Sequence, residues 1–438
     1  MKKFLLLVFI TSLVHSQNNL SLESAIEIGL ENSEEIKISV NNSLIVKNLN
    51  SLGSAGLLPT VGISSGYNGS INETQLELNS FLDFGGDSDN DIEASKAKSS
   101  NLNSSIRLNY RLFNGFSGIY TLSKFKHENN IAEQNIRYQI ETKIIEIIQS
   151  YFTHLNNQNI VSVLQTRYDI SLDRYNQSNE KYQYGGISKL NLLNSEVELN
   201  QNKLNLKDAK TALNNSNANL NKVLGTSFKK IEIDHNFNFN NNLEIEKLIS
   251  DTKKNNSSIL ISKLNYKVSE YELKISKSSF SPKIDLFTSY SYTNTQSETS
   301  FVSKQSNYGL IAGINIDIPI FSANMRRKAF KNAKINLETK KLTQKEIQKS
   351  ILTALNTAYN NYVSSLENIQ LLEENLKTIE KTAEISRELY DSGQLSNLEY
   401  RESQVLLDQA EINYSSKLSA TKIQEYILYQ LSGQLQKN

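Results

Sequence analysis

The chain is written twice. YQYGGISKLNLLNSE at Tyr182–Glu196 returns as YDSGQLSNLEYRESQ at Tyr390–Gln404, 208 residues later, with Tyr182 on Tyr390, Gly185 on Gly393, Ser188 on Ser396 and Leu190 on Leu398. The copies extend well beyond this turn. From Phe113 and Phe321 to Gly225 and Gly433 the offset stays at 208 without a gap, while Asn18 matches Asn241 and Pro59 matches Pro282 at an offset of 223. A duplication of this size constrains the fold before any local motif does: whatever unit the first half builds, the second must build again. The reading is a first repeat over 17–225, a linker over 226–240 and a second repeat over 241–438.

Each repeat opens with a polar segment bearing a sparse apolar face. In the first, Ser21, Ser24 and Glu27 mark a helix start. After each proline the period changes to two. Val61, Ile63 and Tyr67 alternate with Gly62, Ser64 and Asn68, and Leu102, Ile106, Leu108 and Tyr110 alternate with Asn103, Arg107, Asn109 and Arg111. The second copy matches, with Ile284, Leu286 and Tyr290 against Asp285 and Ser289, and Tyr308 to Ile320 against Gly309, Asn315 and Asp317. Strands are expected at about 59–71, 102–113, 282–294 and 308–321, with polar loops over 72–101 and 295–307. A soluble antiparallel sheet gives this alternation, and so does a lipid-facing strand; the pattern alone leaves both open.

Long helices follow. No Pro or Gly lies between Gly118 and Tyr182, or from Ala323 to Tyr390. At 1.5 Å per residue the first run makes a rod of roughly 95 Å. Helices are expected over 117–182, 188–225, 323–390 and 396–431. Their stripes, such as Ile351, Leu355, Ala358, Tyr362, Leu366 and Ile369, are narrow, as in coiled coils.

Chemistry-bearing motifs are scarce. Cysteine is absent, which excludes disulfides and thiolate metal sites, and His127, His154 and His235 lack ligand spacing. Gly85–Asp91 has a calcium-loop look, but Ile92 and Lys98 stand where an EF-hand needs Gly and Glu, so it reads as a solvated acidic loop. No phosphate loop, nucleophile elbow or cofactor motif is present, and a net charge of +1 gives no bias toward nucleic acid. Met1–Lys3 followed by the apolar run Phe4–Val14 reads as a signal peptide over 1–16. At the second turn, Glu399 and Glu402 share a helix face, so a symmetric oligomer would turn them into an acidic ring. Arg107, Arg111, Asp285 and Asp317 occupy the polar strand face that would line a barrel.

The signal peptide, the two-fold repeat, the paired strands after LLP and FSP, the LFNG and IFSAN turns and the Tyr-x-x-Gly-x-x-Ser tips together resemble the TolC family of outer-membrane efflux proteins. The resemblance covers the whole mature chain. It implies a mainly α fold with a β-barrel part: a duplicated helix–β-hairpin–long helix–return helix unit, trimeric, with a 12-stranded transmembrane barrel continued by a coiled-coil α-helical barrel. It implies a passive channel without enzymatic activity or cofactor, set in outer-membrane lipid. Its partners would be a periplasmic adaptor and an inner-membrane pump, proton- or ATP-driven, in efflux or type I secretion. Carried over by position, Glu399 and Glu402 are entrance acids and Tyr390 a latch residue, with Asn191 in the acid partner's place and Leu395 in that of an arginine. Gly185, Gly186, Ser188, Gly393 and Ser396 fall in the adaptor-contacting tips. The competing reading of the same helices is an exported coiled-coil structural protein or surface adhesin without a channel.

Overall fold

A computed structural model describes residues 20–77, 91–227, 230–234, 236–298 and 302–435. The signal-peptide reading, His235 and most of the acidic loop lie outside them. In chain order the elements are α1 (Leu22–Asn32), α2 (Glu34–Leu49), β1 (Thr60–Glu77), β2 (Asp91–Phe113), α3 (Ser117–Gln183), α4 (Lys189–Leu224), α5 (Ile245–Asn255), α6 (Ser257–Ser278), β3 (Lys283–Ser297), β4 (Lys304–Asp317), α7 (Met325–Asp391) and α8 (Asn397–Ser432). They divide into a unit holding the sheet, 42–133 with 262–344, and a helical unit made of the remainder.

In the sheet unit all four strands form one antiparallel sheet in the order β1-β2-β3-β4. Its register carries one face across the sheet: Ile63 sits opposite Ile106, Ile106 opposite Tyr290, and Tyr290 opposite Leu310. A single slip would have thrown these side chains onto the polar face. That apolar face is open, with Ile63, Tyr67, Tyr308 and Leu310 all more than 70% exposed. On the polar face Gly313 leaves room for the Phe287 ring, whose Cζ would lie 2.8 Å from a Cβ there. Within the described chain β1 and β4 each pair on one side only.

Three expectations need correction. The strands flanking the loop placed at 295–307 extend into it, β3 to Ser297 and β4 from Lys304, with Thr295 opposite Gln305. The loop placed at 72–101 is largely strand: Asn72 pairs with Ala97, Thr74 with Ala94 and Glu77 with Asp91. Charged and polar residues dominate these extensions, with Leu76 and Ile92 the only large apolar ones, so the period that marked the strands was too weak to mark their extension. Conversely, β4 ends at Asp317 and not at 321. Pro319 lacks the N–H a ladder needs and biases Ile318 as well. The turn into α7 then takes Ala323 and Asn324 through positive φ, 47° and 61°, so the helix begins at Met325. Gly115 and Phe116, the same two positions in the first repeat, are also left-handed at 66°.

The helical unit is built on α3. Ile147, Ile148, Tyr151 and Phe152 are fully buried against Leu22 and Ala25 of α1 and Leu220 and Leu224 of α4. Gly29 brings α1 close, since a Cβ there would stand 2.5 Å from the Ile147 side chain. In the second repeat Leu248, Leu355, Tyr362 and Leu428 make the equivalent core. Each return helix ends on a left-handed glycine seated against the first helix of its own repeat: Gly225 against Asn32 and Gly433 against Asn255. The exposed carbonyls are capped there, Leu224 by the Asn32 amide at 3.1 Å and Leu431 by the Asn256 amide at 3.0 Å. Among the described residues no helix is long and apolar enough to cross a membrane.

Candidate functional site

The two helical tips share a backbone solution. Gly185 and Gly393 adopt φ of 75° and 76°, and the amides of Gly186 and Gln394 reach back to the carbonyls of Lys181 and Leu389 at 2.7 and 2.8 Å. The return helices begin on Ser188 and Ser396, whose hydroxyls accept from the amides of Asn191 and Glu399 at 3.3 Å each. There the copies diverge. Glu399 closes a full capping box, its Oε2 accepting from the Ser396 amide at 3.0 Å and the Ser396 hydroxyl at 2.7 Å. These bonds hold its carboxyl below the usual range. Asn191, at the matching position, is exposed and supplies no carboxylate. Glu402, one turn after Glu399, is exposed and forms no ion pair among the described residues.

Tyr390 packs on Tyr400. The two rings stack at 4.8 Å with 10° between planes, and the Arg174 guanidinium lies 4.5 Å from the Tyr400 centroid and 5.7 Å from that of Tyr390. Behind this stack is a buried ionic cluster that connects α3, α4 and α8. Arg174 Nη1 donates to both oxygens of Glu198, at 2.9 and 3.0 Å, and Arg167 Nη2 donates to the same carboxylate at 3.3 Å. Arg167 also donates to the Gln404 amide oxygen and lies 3.4 Å from Asp408. The side chains of Arg167, Arg174 and Glu198 are 3%, 6% and 7% exposed, so each charge depends on the others for its solvation. A cleft of about 450 Å³ opens beside the stack, lined by Asp173, Arg174, Glu384, Arg387, Tyr390 and Tyr400.

Burial pushes the Asp408 carboxyl up to about 6, against the pull of Arg167 and with help from Glu411. The folded value exceeds the unfolded one, so protonation favours the fold. Through this group the tip gains stability as pH falls from about 6 toward about 4, and lacks that gain above 6. Asp408→Asn should therefore raise the thermal midpoint at pH 7.5, with the advantage shrinking to nothing by pH 4. A midpoint difference that is constant over this range would contradict the assignment.

Sequence reasoning missed Arg167, Arg174, Glu198 and Asp408. A signal was present: Arg167, Ser171 and Arg174 are buried at coiled-coil spacing, where apolar residues are expected. Of the four barrel-lining candidates, Arg111 and Asp285 come together as opposed residues, Nε to Oδ1 at 2.8 Å. Arg107 faces Gly62 and Ser289, and Asp317 faces Lys283. His154 is a core histidine, its ring nitrogens 2.9 Å from the Ser216 hydroxyl and the Ile231 carbonyl. Among the described residues no cluster of His, Asp or Glu suited to a metal ion is found.

A four-stranded sheet with an open apolar face, combined with pairs of very long helices, is the architecture of outer-membrane channels. The model of the outer membrane efflux protein family matches residues 51–226 and 248–434, and the chain belongs to that family. It is similar to outer membrane protein TolC of Salmonella enteritidis, 20% identical over 419 residues covering 88% of this chain and 79% of the relative. To TolC of Escherichia coli K12 it is 20% identical over 267 residues, and this match spans only 54% of the relative's length. Among solved structures, the Campylobacter jejuni CmeC outer membrane channel superposes with a TM-score of 0.77 at 16% identity, covering 96% of this chain and 87% of CmeC. CusC gives 0.76 at 15% identity, with 94% and 92% covered. The open state of the Neisseria gonorrhoeae MtrE channel gives 0.72 at 14%, with 94% and 89% covered. As a member of this family the protein is located in the outer membrane.

Proposed function

We propose that three copies of the chain form a passive conduit through the outer membrane, closed at the helical tips and opened by a periplasmic adaptor joined to an inner-membrane pump. The observation that carries this reading is the sheet with two half-paired edges and an apolar outer face. Four strands cannot close a barrel, and an open edge is not tolerated in lipid, so three copies supplying twelve strands answer both demands. The elements flanking those edges support it. Leu44, Ile45 and Leu49 of α2, just before β1, and Ile335 and Leu342 of α7, after β4, are all between 46% and 61% exposed. Neighbouring copies would cover them.

In this trimer the polar strand face, with Arg107, Arg111, Asp285 and Asp317, lines the barrel lumen. Glu399 and Glu402 form the acidic entrance ring, and Tyr390 and Asn191 belong to the closing region. The turns at Gly185, Gly186, Ser188, Gly393 and Ser396 are the adaptor contacts. The conduit needs no catalysis, cofactor or nucleic acid; the energy for export comes from the pump, in drug efflux or type I secretion. The Glu399→Ala, Glu402→Ala double variant should lose several-fold of its cation over anion preference in planar bilayers. Each single variant should account for part of this, because the Glu399 carboxylate stays ionised while it accepts from Ser396. Unaltered selectivity in the double variant would remove the acidic ring from the reading.

A further inference from the structure

The first five turns of α7 carry a charge imbalance that the conduit does not use. Met325–Gln344 holds seven Lys and Arg against the single carboxylate of Glu338. Arg327, Lys331, Lys334 and Lys341 succeed one another at intervals of four, three and seven residues, the spacing at which a packed helix would carry apolar residues. All four are exposed, as is Lys328, and none forms an ion pair among the described residues. The first turn of α7 contains no acidic residue, so Arg326, Arg327 and Lys328 also oppose the positive end of the helix. Repulsion of this kind, left uncompensated within the chain, is relieved by an anion from outside.

Two observations say which anion. Immediately before this stretch, Ile314, Ile316, Ile318, Ile320 and Phe321 are between 59% and 94% exposed, so the cations begin where the lipid-facing apolar band ends. Beside them, Phe280, two residues past the end of α6, meets Phe330 edge-to-face at 6.2 Å, and exposed Lys277 lies in the last turn of that helix. Aromatic rings and cations bordering an apolar band are the composition of a headgroup layer.

We propose that Arg327, Lys328, Lys331 and Lys334, with Lys277, bind the phosphate headgroups of anionic phospholipids in the periplasmic leaflet. Arg327 to Lys334 spans about 10 Å of helix axis, enough to cross a headgroup layer. The test uses the full-length assembly in detergent, titrated with phosphatidylglycerol, cardiolipin or phosphatidylcholine and read by native mass spectrometry. The parent should retain the two anionic lipids at least tenfold over phosphatidylcholine. The variant R327Q/K328Q/K331Q/K334Q should lose that preference and keep its phosphatidylcholine adducts, and the milder K331Q/K334Q pair should lose part of it, serving if the quadruple variant fails to assemble. Equal retention of all three lipids by the parent overturns the proposal, as does a preference untouched by either variant. Displacement by millimolar glycerol phosphate as effective as by the lipid would make this a free-phosphate site, and a changed channel ion selectivity with unchanged lipid adducts would place the stripe in the lumen; either result overturns it.

Discussion

Glu198→Ala should loosen the tip more than any other single side-chain truncation there. The substitution leaves Arg167 and Arg174, only 3% and 6% exposed, without the carboxylate to which both donate. Removing one partner of a buried ion pair costs about 3–5 kcal/mol, because the remaining charge stays desolvated. Here Arg174 would be stranded beside Arg167, which keeps only Asp408 and the Gln404 oxygen, and the Arg174 guanidinium that steadies the Tyr390–Tyr400 stack would lose its anchor. The expected readings are a lower midpoint for loss of helical signal and a raised closed-state conductance in planar bilayers. Glu198→Gln keeps an acceptor for Arg174 and should fall between the two. Arg174→Ala combined with Glu198→Ala should recover part of the midpoint, since one stranded charge is then gone. If Glu198→Ala conducts and melts like the parent, the cluster does not hold the tip closed.

Gly433→Ala should prevent the helical unit from forming, whereas Gly393→Ala should be tolerated. Both glycines are left-handed, at 68° and 76°, so both substitutions incur the roughly 1–2 kcal/mol that an L side chain costs in that region. Their surroundings differ. A Cβ at Gly393 meets nothing within 4 Å, while one at Gly433 would stand 2.7 Å from the backbone carbonyl of Asn255. Backbone cannot rotate aside as a side chain does, so α8 would have to lift off α5 and take the Asn256 cap on Leu431 with it. The yield of assembled, heat-resistant oligomer on mild SDS gels measures the difference. Comparable yields from the two variants would mean that the close approach at Gly433 is not required.

These two sites also show what the sequence made legible. Gly433 and Gly225 were visible as repeat partners, because the duplication carries equivalent positions at a constant offset. The four strands were legible from Ile, Leu and Tyr recurring at alternate residues wherever one face meets an apolar environment. Where that environment ends the signal fades too, and the extension of β2 back to Asp91 left too weak a trace in hydropathy to be legible. Glu198 was invisible for another reason. It lies among Asn, Lys and Glu residues on α4, and nothing in its local pattern separates a buried carboxylate from a solvated one. Its meaning comes from two arginines 24 and 31 residues away, brought onto it by the helical turn.

The half-paired edges of the sheet carry a genetic consequence. In the proposed trimer, a chain whose β4 is damaged can still offer a sound β1 to its neighbour, so it would enter a mixed ring and leave one seam open. If defective and normal chains are made in equal amounts and associate at random in threes, only about one ring in eight is free of a defective member. Alleles that disrupt one edge while sparing the other should therefore be dominant, suppressing export by the normal copy beside them. Alleles that abolish the whole sheet should be recessive, because such a chain has nothing to offer a neighbour.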